Sequence, residues 1–379
     1  MKRAVVAGHI CLDIIPGIDH GFQLVPGRLY EVSAPTIATG GAVSNTGVAL
    51  HVLGVETVLV GKVSNDSFGR SILEVLRGYG PKLADGMVVV PGAVSSYTVV
   101  ISIPGTDRMF LHCPGANSSF VSADFDLARL DGAAVFHFGY PAFMAATCAN
   151  GGAELVRLYR DVKQAGVTTS LDLGMPDPSG PGGRADWGAI LEAVLPSVDL
   201  FMPSADELLY ALDRGRFGEG DNLGAADLSR LGARLLDLGV AVAAIKLGAR
   251  GMYIRTASAS RLRAMGPAAP RDPGAWAERE LWFPIFRPAR FMGATGAGDT
   301  TIAGFLAALL RGLGLLEAGR FATAVGACNV EAPDALGGIR SWDETTRRLG
   351  AGWETVPFAL TAAGWREGAH GVWQGPAER

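Results

Sequence analysis

Charged residues are scarce in this chain of 379 residues: Asp, Glu, Lys and Arg together make up only 18%. The net charge is −4, so no basic surface is indicated for nucleic acid or for an anionic membrane. No apolar run approaches the roughly 20 residues that a membrane-spanning helix needs. Hydrophobic residues supply 49% of the chain, which excludes general disorder. The composition therefore predicts a globular protein with neither a nucleic-acid nor a membrane partner.

Cysteine is also rare, with four residues far apart in the sequence, at positions 11, 113, 148 and 328. No CxxC pair occurs, so the spacing signals neither a zinc site nor a redox motif. Scattered single cysteines are typical of buried small hydrophobic residues in a reducing compartment, which predicts a cytoplasmic protein.

The common nucleotide-binding signatures are missing: neither GxxxxGK[ST] nor GxGxxG is present. Glycine itself is abundant, with 52 residues, but these residues show no three-residue period, so collagen is excluded. Excess glycine in a globular chain indicates tight turns or backbone packed close to a ligand.

Short apolar runs alternate with amphipathic stretches along most of the chain. This alternation predicts an α/β fold with a largely parallel sheet, which binds ligands beyond the carboxyl ends of its strands. Two stretches without helices, residues 27–38 and 95–112, have the alternation of β-ribbons and predict a small projecting sheet. Residues 257–290 are expected to form an insertion or hairpin on the surface, and the chain from residue 345 is expected to be weakly structured or at most helical.

One of two notable glycine clusters spans residues 293–301 and leads into an apolar helix. Small residues at this point leave backbone N–H groups free at the positive end of a helix dipole, which predicts an anion site at Gly296, Ala297 and Gly298. Asp299 lies inside this site, where a carboxylate would repel phosphate. Its expected role is to accept a proton from an attacking hydroxyl, and the alternative is a simple helix N-cap.

A second cluster spans residues 39–47 and also precedes an apolar helix. Gly40 and Gly41 would let a ligand approach the backbone, and Asn45 on the first helical turn could hydrogen-bond a hydroxyl. The alternative is an ordinary turn between a strand and a helix.

The order of these segments resembles the ribokinase-like, or PfkB-type, family of carbohydrate kinases over residues 3–342. The segments that carry the resemblance are Gly8-His9-Ile10-Cys11-Leu12-Asp13, Gly40-Gly41 with Asn45, residues 61–69, Gly115-Ala116-Asn117, Pro203-Ser204-Ala205-Asp206-Glu207-Leu208, Lys246-Leu247-Gly248-Ala249-Arg250-Gly251 and Gly296-Ala297-Gly298-Asp299.

The resemblance implies a kinase that uses ATP and Mg²⁺, with a three-layer α/β domain and a β-sheet lid. Asp299 would be the base that deprotonates a sugar hydroxyl. The other implied roles are the anion hole for Gly296, Ala297 and Gly298, sugar binding for Asp13, Gly40, Gly41 and Asn45, nucleotide binding for Lys246, Gly248 and Gly251, and water-mediated magnesium binding for Glu207.

The resemblance also implies a domain plan and an assembly. The kinase domain would span residues 1–345, with lid strands from about 10–38 and 95–118 and the insertion at 257–290, followed by a C-terminal extension at 346–379. Lids in the family often pair between subunits, so a homodimer is expected.

Several departures from the family pattern bear on the substrate. Ser204 stands where asparagine is frequent, and Gly293 where cation-activated members have aspartate, which puts a potassium requirement in doubt. Cys11, Ala42 and Gly139 replace polar residues of ribokinase, which argues against ribose. A nucleoside kinase of the same fold and a non-catalytic sugar or nucleotide sensor are the alternatives to a sugar or polyol kinase.

Overall fold

The computed structural model describes residues 2–19, 21, 25–104 and 108–377. Within these residues the strands are β1 (Arg3–Gly8), β2 (Cys11–Gly17), β3 (Ser33–Gly40), β4 (Thr57–Val60), β5 (Lys62–Ser64), β6 (Val88–Val90), β7 (Tyr97–Ile101), β8 (Met109–Cys113), β9 (Ala133–Gly139), β10 (Thr168–Leu171), β11 (Leu200–Phe201), β12 (Val242–Lys246), β13 (Met252–Thr256), β14 (Glu280–Phe283), β15 (Arg366–Glu367) and β16 (Trp373–Gln374).

The α-helices lie between these strands, and short 3₁₀ helices fill several of the remaining connections. The α-helices are α1 (Ala42–Val52), α2 (Ser67–Tyr79), α3 (Ala145–Gln164), α4 (Pro181–Arg184), α5 (Trp187–Val194), α6 (Ala205–Leu212), α7 (Ala225–Asp237), α8 (Ala259–Arg263), α9 (Pro273–Trp276), α10 (Ala297–Arg311), α11 (Leu315–Asn329) and α12 (Trp342–Gly350).

The main sheet has ten strands within the described residues, in the order β15-β16-β14-β13-β12-β11-β10-β9-β1-β4. The strands from β12 to β4 run parallel, and those from β13 to β15 add an antiparallel edge. Parallel strands covered on both faces are apolar throughout, as the buried run of β1 illustrates.

Helices cover both faces of this sheet and bury two apolar clusters. One cluster includes α1, α10 and α11, and the other includes α3, α5, α6 and α7. Helix α10 is apolar on nearly all sides because it packs between α1 and α11. The predicted three-layer α/β fold is confirmed.

A separate four-stranded sheet, the lid, has the order β3-β2-β7-β8. Strands β3, β7 and β8 coincide with the stretches 27–38 and 95–112 to within two residues, whereas β2 lies outside both and within only the wider range, about 10–38, that the family resemblance implied. Because successive side chains of a strand alternate between faces, Asp13 and Thr98 are directed to one face of the lid and Ile14 and Val99 to the other.

Two expectations from the sequence are wrong in local structure. Residues 257–290 are not a surface hairpin: they contain α8, α9 and β14, and they bury Trp276 and Phe283 in the core. The chain after residue 345 is not weakly structured, because β15 and β16 extend the main sheet and Trp373 packs on its core. The domain boundary at residue 345 stays a prediction.

Candidate active site

A cavity of about 620 Å³ lies between the lid and the carboxyl ends of the parallel strands. The main domain lines it with His9, which follows β1, Tyr140, which follows β9, and Asn45 of α1. The lid contributes Asp13 and His112. Open α/β sheets bind ligands at this edge, so the predicted ligand position and the cavity coincide.

Asp13 is 8% exposed and lies on the cavity face of β2. Burial raises the pKa of Asp13 to about 6, although hydrogen bonds from the Cys11 thiol and the Thr98 hydroxyl favour its charged form. Gly40 on β3 lies against the same carboxylate, and a Cβ there would overlap with the carboxylate oxygens. Asp13 thus faces the cavity, whereas Gly40 makes room for Asp13 and does not itself line the cavity.

Asn45 lies one turn after Gly41, the residue that precedes α1 and lines the cavity. The Asn45 side-chain amide donates a hydrogen bond of 3.0 Å to Asp299 Oδ2. Its Oδ1 is buried and accepts no hydrogen bond from the described residues. An unsatisfied buried acceptor costs about 1–3 kcal/mol, so a donor from a ligand would stabilise this arrangement.

Helix α10 begins after Gly296, whose φ of 75° is in the left-handed region that favours glycine. The amide of Ala297 donates to the carbonyl of Ala294, whereas the amides of Gly298 and Asp299 donate to no acceptor in the described part of the chain. Amides in the first turn of a helix point out of its start, where the dipole adds partial positive charge. The start of α10 is therefore an anion-binding position.

Asp299 is 2% exposed, and three segments surround its carboxylate. Oδ2 accepts hydrogen bonds from Tyr140, at 2.6 Å, and from Asn45, and Thr46 Oγ1 lies 3.4 Å from Oδ1. Burial raises the pKa of Asp299, and the Lys246 ammonium and the two hydrogen bonds on Oδ2 oppose that rise. A carboxyl group with a raised pKa is a stronger base once it has lost its proton.

Lys246 ends β12 and forms an ion pair of 2.8 Å with Asp172, which follows β10. Burial alone would lower the pKa of Lys246, but the carboxylates of Asp172, Glu207 and Asp299 outweigh it and raise that pKa. A Cβ on Gly298 would lie 3.4 Å from Lys246 Nζ. A positive charge therefore lies directly beside the start of α10.

A second cavity, of about 340 Å³, lies on the opposite side of the α10 start. Gly248 and Gly251 line it together with apolar side chains that include Phe286 and Val330. Lys246, Ala297 and Gly298 also reach it, and Ala294 lines both cavities. The three residues predicted to bind a nucleotide thus share one apolar cavity.

Glu207 lines the large cavity and also takes part in a capping box at the start of α6. The Glu207 carboxylate accepts a hydrogen bond of 2.7 Å from the Ser204 amide, and the Ser204 hydroxyl accepts one of 3.3 Å from the Glu207 amide. The buried Oδ2 of Asp172 has no partner among the described residues. Carboxylate oxygens of this kind, close to an anion position, fit the ligand preference of Mg²⁺.

Tyr140 and Asp172 were not predicted as site residues. Each directly follows a strand of the parallel sheet, Tyr140 after β9 and Asp172 after β10. That position at the ligand edge is the only signal that could have identified them, because their partners Asp299 and Lys246 come from distant parts of the chain.

A sequence model of the family described as pfkB family carbohydrate kinase matches residues 1–341. The chain belongs to this family. The predicted resemblance is confirmed, and the matched residues include the main sheet from β1 to β14, the lid and the start of α10. Fructokinase of Xylella fastidiosa with bound ATP has a similar fold: its TM-score is 0.70 at 21% identity, over 93% of this chain and 99% of that structure.

Two curated relatives of this pfkB-family protein show how far the similarity reaches. Fructokinase-1 of rice, Oryza sativa subsp. japonica, is 28% identical over 174 residues, which are 45% of this chain and 50% of the relative. The chain therefore aligns with about half the length of that fructokinase. An uncharacterized sugar kinase of Archaeoglobus fulgidus is 25% identical over 77% of this chain and 98% of its own.

Across the described residues, no helix combines the length and the apolar character that crossing a membrane requires.

Lys246→Met should lower the free energy of unfolding by about 3–5 kcal/mol, because it leaves the buried Asp172 carboxylate without its cation. Asp172→Leu combined with Lys246→Met removes both charges and should recover more than half of that loss. Urea titrations of the wild type, both single variants and the double variant measure the coupling. Additive losses in the double variant would contradict an energetically coupled pair.

Proposed function

We propose that this chain transfers the γ-phosphoryl group of ATP to a hydroxyl group of a sugar or sugar-like polyol. The observation that carries the proposal is the position of the α10 start, which borders both a cavity that several polar side chains line and a second cavity that is almost wholly apolar. Asp13 and Asn45 offer oxygens for hydroxyl groups on one side, and Phe286 and Val330 offer an apolar surface for a purine on the other.

Asp299 is the proposed base. The acceptor hydroxyl loses its proton to the Asp299 carboxylate, the hydroxyl oxygen bonds to the γ-phosphorus, and the bond to the β-phosphate oxygen breaks to release ADP. Tyr140 and Asn45 hold Oδ2 in one place, so the carboxylate needs no reorganisation when the hydroxyl arrives.

The start of α10 would bind the transferred group. The unpaired amides of Gly298 and Asp299, the helix dipole and the Lys246 ammonium together favour the negative charge on the phosphoryl oxygens. Glu207 and Asp172 are the groups that would hold Mg²⁺, in part through water. When bound, Mg²⁺ neutralises charge on the phosphates.

The lid would exclude water from the large cavity. Its face carries Asp13, Thr98 and Phe110 over the ligand position, so a bound acceptor would be covered by both polar and apolar groups. Exclusion of water favours transfer to the acceptor over hydrolysis of ATP.

Asp299→Asn should lower turnover by about 10²–10⁴-fold, because the amide cannot accept the proton. The measurement is ADP release, coupled to an indicator reaction, with panels of sugars, polyols and nucleosides as acceptors. The same panel distinguishes a sugar kinase from a nucleoside kinase.

Asp272→Asn is the control, because Asp272 also lies at the start of a helix, α9, but is exposed and lines neither cavity. Asp299 itself is no N-cap, because Gly296 holds that position in α10 and no side chain caps it. Near-normal turnover of Asp299→Asn with its best acceptor would exclude the proposed base. Thermal stabilisation by ligands without ADP release would favour a sensor.

The kcat/KM for the sugar or polyol substrate should rise as the pH passes through about 6, the raised pKa of Asp13. The reason is that the ionised Asp13 carboxylate accepts hydrogen bonds from the substrate hydroxyls. A profile of kcat/KM against pH reports groups of the free enzyme. In Asp13→Asn this inflection should disappear, while an inflection due to Asp299 remains. An unchanged profile in Asp13→Asn would contradict the assignment.

We also propose that two copies pair through the outer face of the lid. Ile37, Ile14, Val99 and Leu111 occupy one register position across β3, β2, β7 and β8, so they form an apolar row on the face opposite Asp13. Leu111 is 60% exposed and Ile37 48% exposed. Contiguous exposed apolar groups of this kind are typical of protein interfaces.

Leu111→Glu should convert a dimer to a monomer, because it places a charge at the most exposed end of the apolar row. Light scattering coupled to size-exclusion chromatography gives the mass. Leu127→Glu, at an exposed leucine outside the lid, should leave the mass unchanged. A monomeric wild type would contradict the proposed pairing.

A further inference from the structure

Three side chains that take no part in the proposed phosphoryl transfer meet on one side of the large cavity. One ring nitrogen each of His9 and His112 and the sulfur of Cys11 all lie within 4.8 Å of one another. His9 follows β1 of the main sheet and is buried, and Cys11 begins β2 and is also buried. His112 lies on the lid strand β8 and lines the same cavity.

The two imidazoles already have the spacing of metal ligands. Their Nε2 atoms are 3.3 Å apart. A tetrahedral Zn²⁺ with Zn–N distances of about 2.0–2.1 Å places two nitrogens about 3.3 Å apart, and a thiolate sulfur at about 2.3 Å from the ion lies about 3.6 Å from each nitrogen. Because the three ligand atoms lie within 4.8 Å of one another, the Cys11 sulfur and the two nitrogens have to approach by up to about 1.4 Å to reach this geometry.

Neighbouring groups fix the orientation of these side chains. Thr98 Oγ1 lies 3.0 Å from His112 Nδ1, the ring nitrogen that does not face His9. The His9 ring packs edge-on against Phe143, with ring centroids 5.4 Å apart. The Cys11 thiol lies 3.3 Å from Asp13 Oδ1. Outer contacts of this kind hold the ligands of metal sites in place.

We propose that His9, Cys11 and His112 bind one thiophilic divalent ion, Zn²⁺, and leave its fourth position open to the cavity. Two imidazoles and a thiolate select Zn²⁺ over Mg²⁺, so this site differs in chemistry from the carboxylates of Glu207 and Asp172. The Cys11 thiol releases its proton to solvent when the ion binds. Because one ligand comes from β8, the ion ties the lid to the main domain.

Isothermal titration of the full chain, freed of metal with a chelator, should give one tight Zn²⁺ per chain. Loss of a group that only supports a metal ligand typically weakens metal binding by about 10–100-fold. Cys11→Ser and His112→Gln remove ligands themselves, so each should weaken Zn²⁺ binding by at least this factor. Co²⁺ in place of Zn²⁺ should give a thiolate charge-transfer absorption that is absent in Cys11→Ser, which reports sulfur ligation directly.

Cys113→Ser and His370→Gln are the matched controls, because Cys113 adjoins His112 on β8 and His370 is an exposed histidine. Both should keep the affinity, the stoichiometry and the Co²⁺ absorption of the wild type. The proposal is overturned if the Co²⁺ complex lacks the thiolate absorption, or if Cys11→Ser and His112→Gln bind Zn²⁺ as the wild type does.

One consequence rests on the proposed function. Zn²⁺ would occupy part of the acceptor cavity, so it should raise the KM for the acceptor and leave the KM for ATP unchanged, and His112→Gln should relieve this effect. Failure of the kinase assay would leave the titration and the Co²⁺ spectrum as independent tests of the metal site.

Discussion

The buried carboxylate of Asp299 is the group on which the arrangement of the site depends. It lies where the α10 dipole favours negative charge, but its burial favours the neutral form. Asn45 from α1, Tyr140 after β9 and Lys246 at the end of β12 offset that burial, so three separate segments must converge on one side chain. This convergence requires α10 to be fully packed between α1 and α11, which explains why its sequence is apolar on nearly all sides.

A carboxylate and a phosphate site at one helix start would repel each other if both used the same groups. The structure separates them: the carboxylate is bonded to Asn45 and Tyr140, while the amides of Gly298 and Asp299 have no acceptor among the described residues. Lys246 lies beside both positions and is held by Asp172. One cation thus reduces the repulsion that a bound phosphate would feel, which is a condition for the proposed transfer.

The sequence predicts those parts of the site that have a local signature. Small residues leading into an apolar helix identify Gly296, Gly298 and Asp299. Tyr140 and Asp172 have no such signature, because their roles arise only when the sheet sets β9 and β10 beside β12 and α10. The cluster of His9, Cys11 and His112 could not be predicted either, because its spacing in sequence matches no metal motif and only the fold brings His112 beside the other two residues. The edge strands β15 and β16 have two residues each, too few for an alternation pattern to appear.

The departures from ribokinase at Ala42 and Gly139 are sterically coupled, so they do not count as two independent losses of a polar side chain. A Cβ on Gly139 would overlap with the Cβ of Ala42, so a glutamate at position 139 needs the start of α1 to move away. With α1 in its present position, Asp13 and the unsatisfied Oδ1 of Asn45 would accept hydrogen bonds from the hydroxyl groups of the proposed sugar or polyol at this end of the cavity. Selectivity then depends on which hydroxyls reach these two groups, because a polar group left unpaired in a closed cavity costs about 1–3 kcal/mol. If the chain transfers phosphate to a sugar hydroxyl as proposed, the backbone packing of α1 against β9 would therefore select the substrate as much as the polar side chains do.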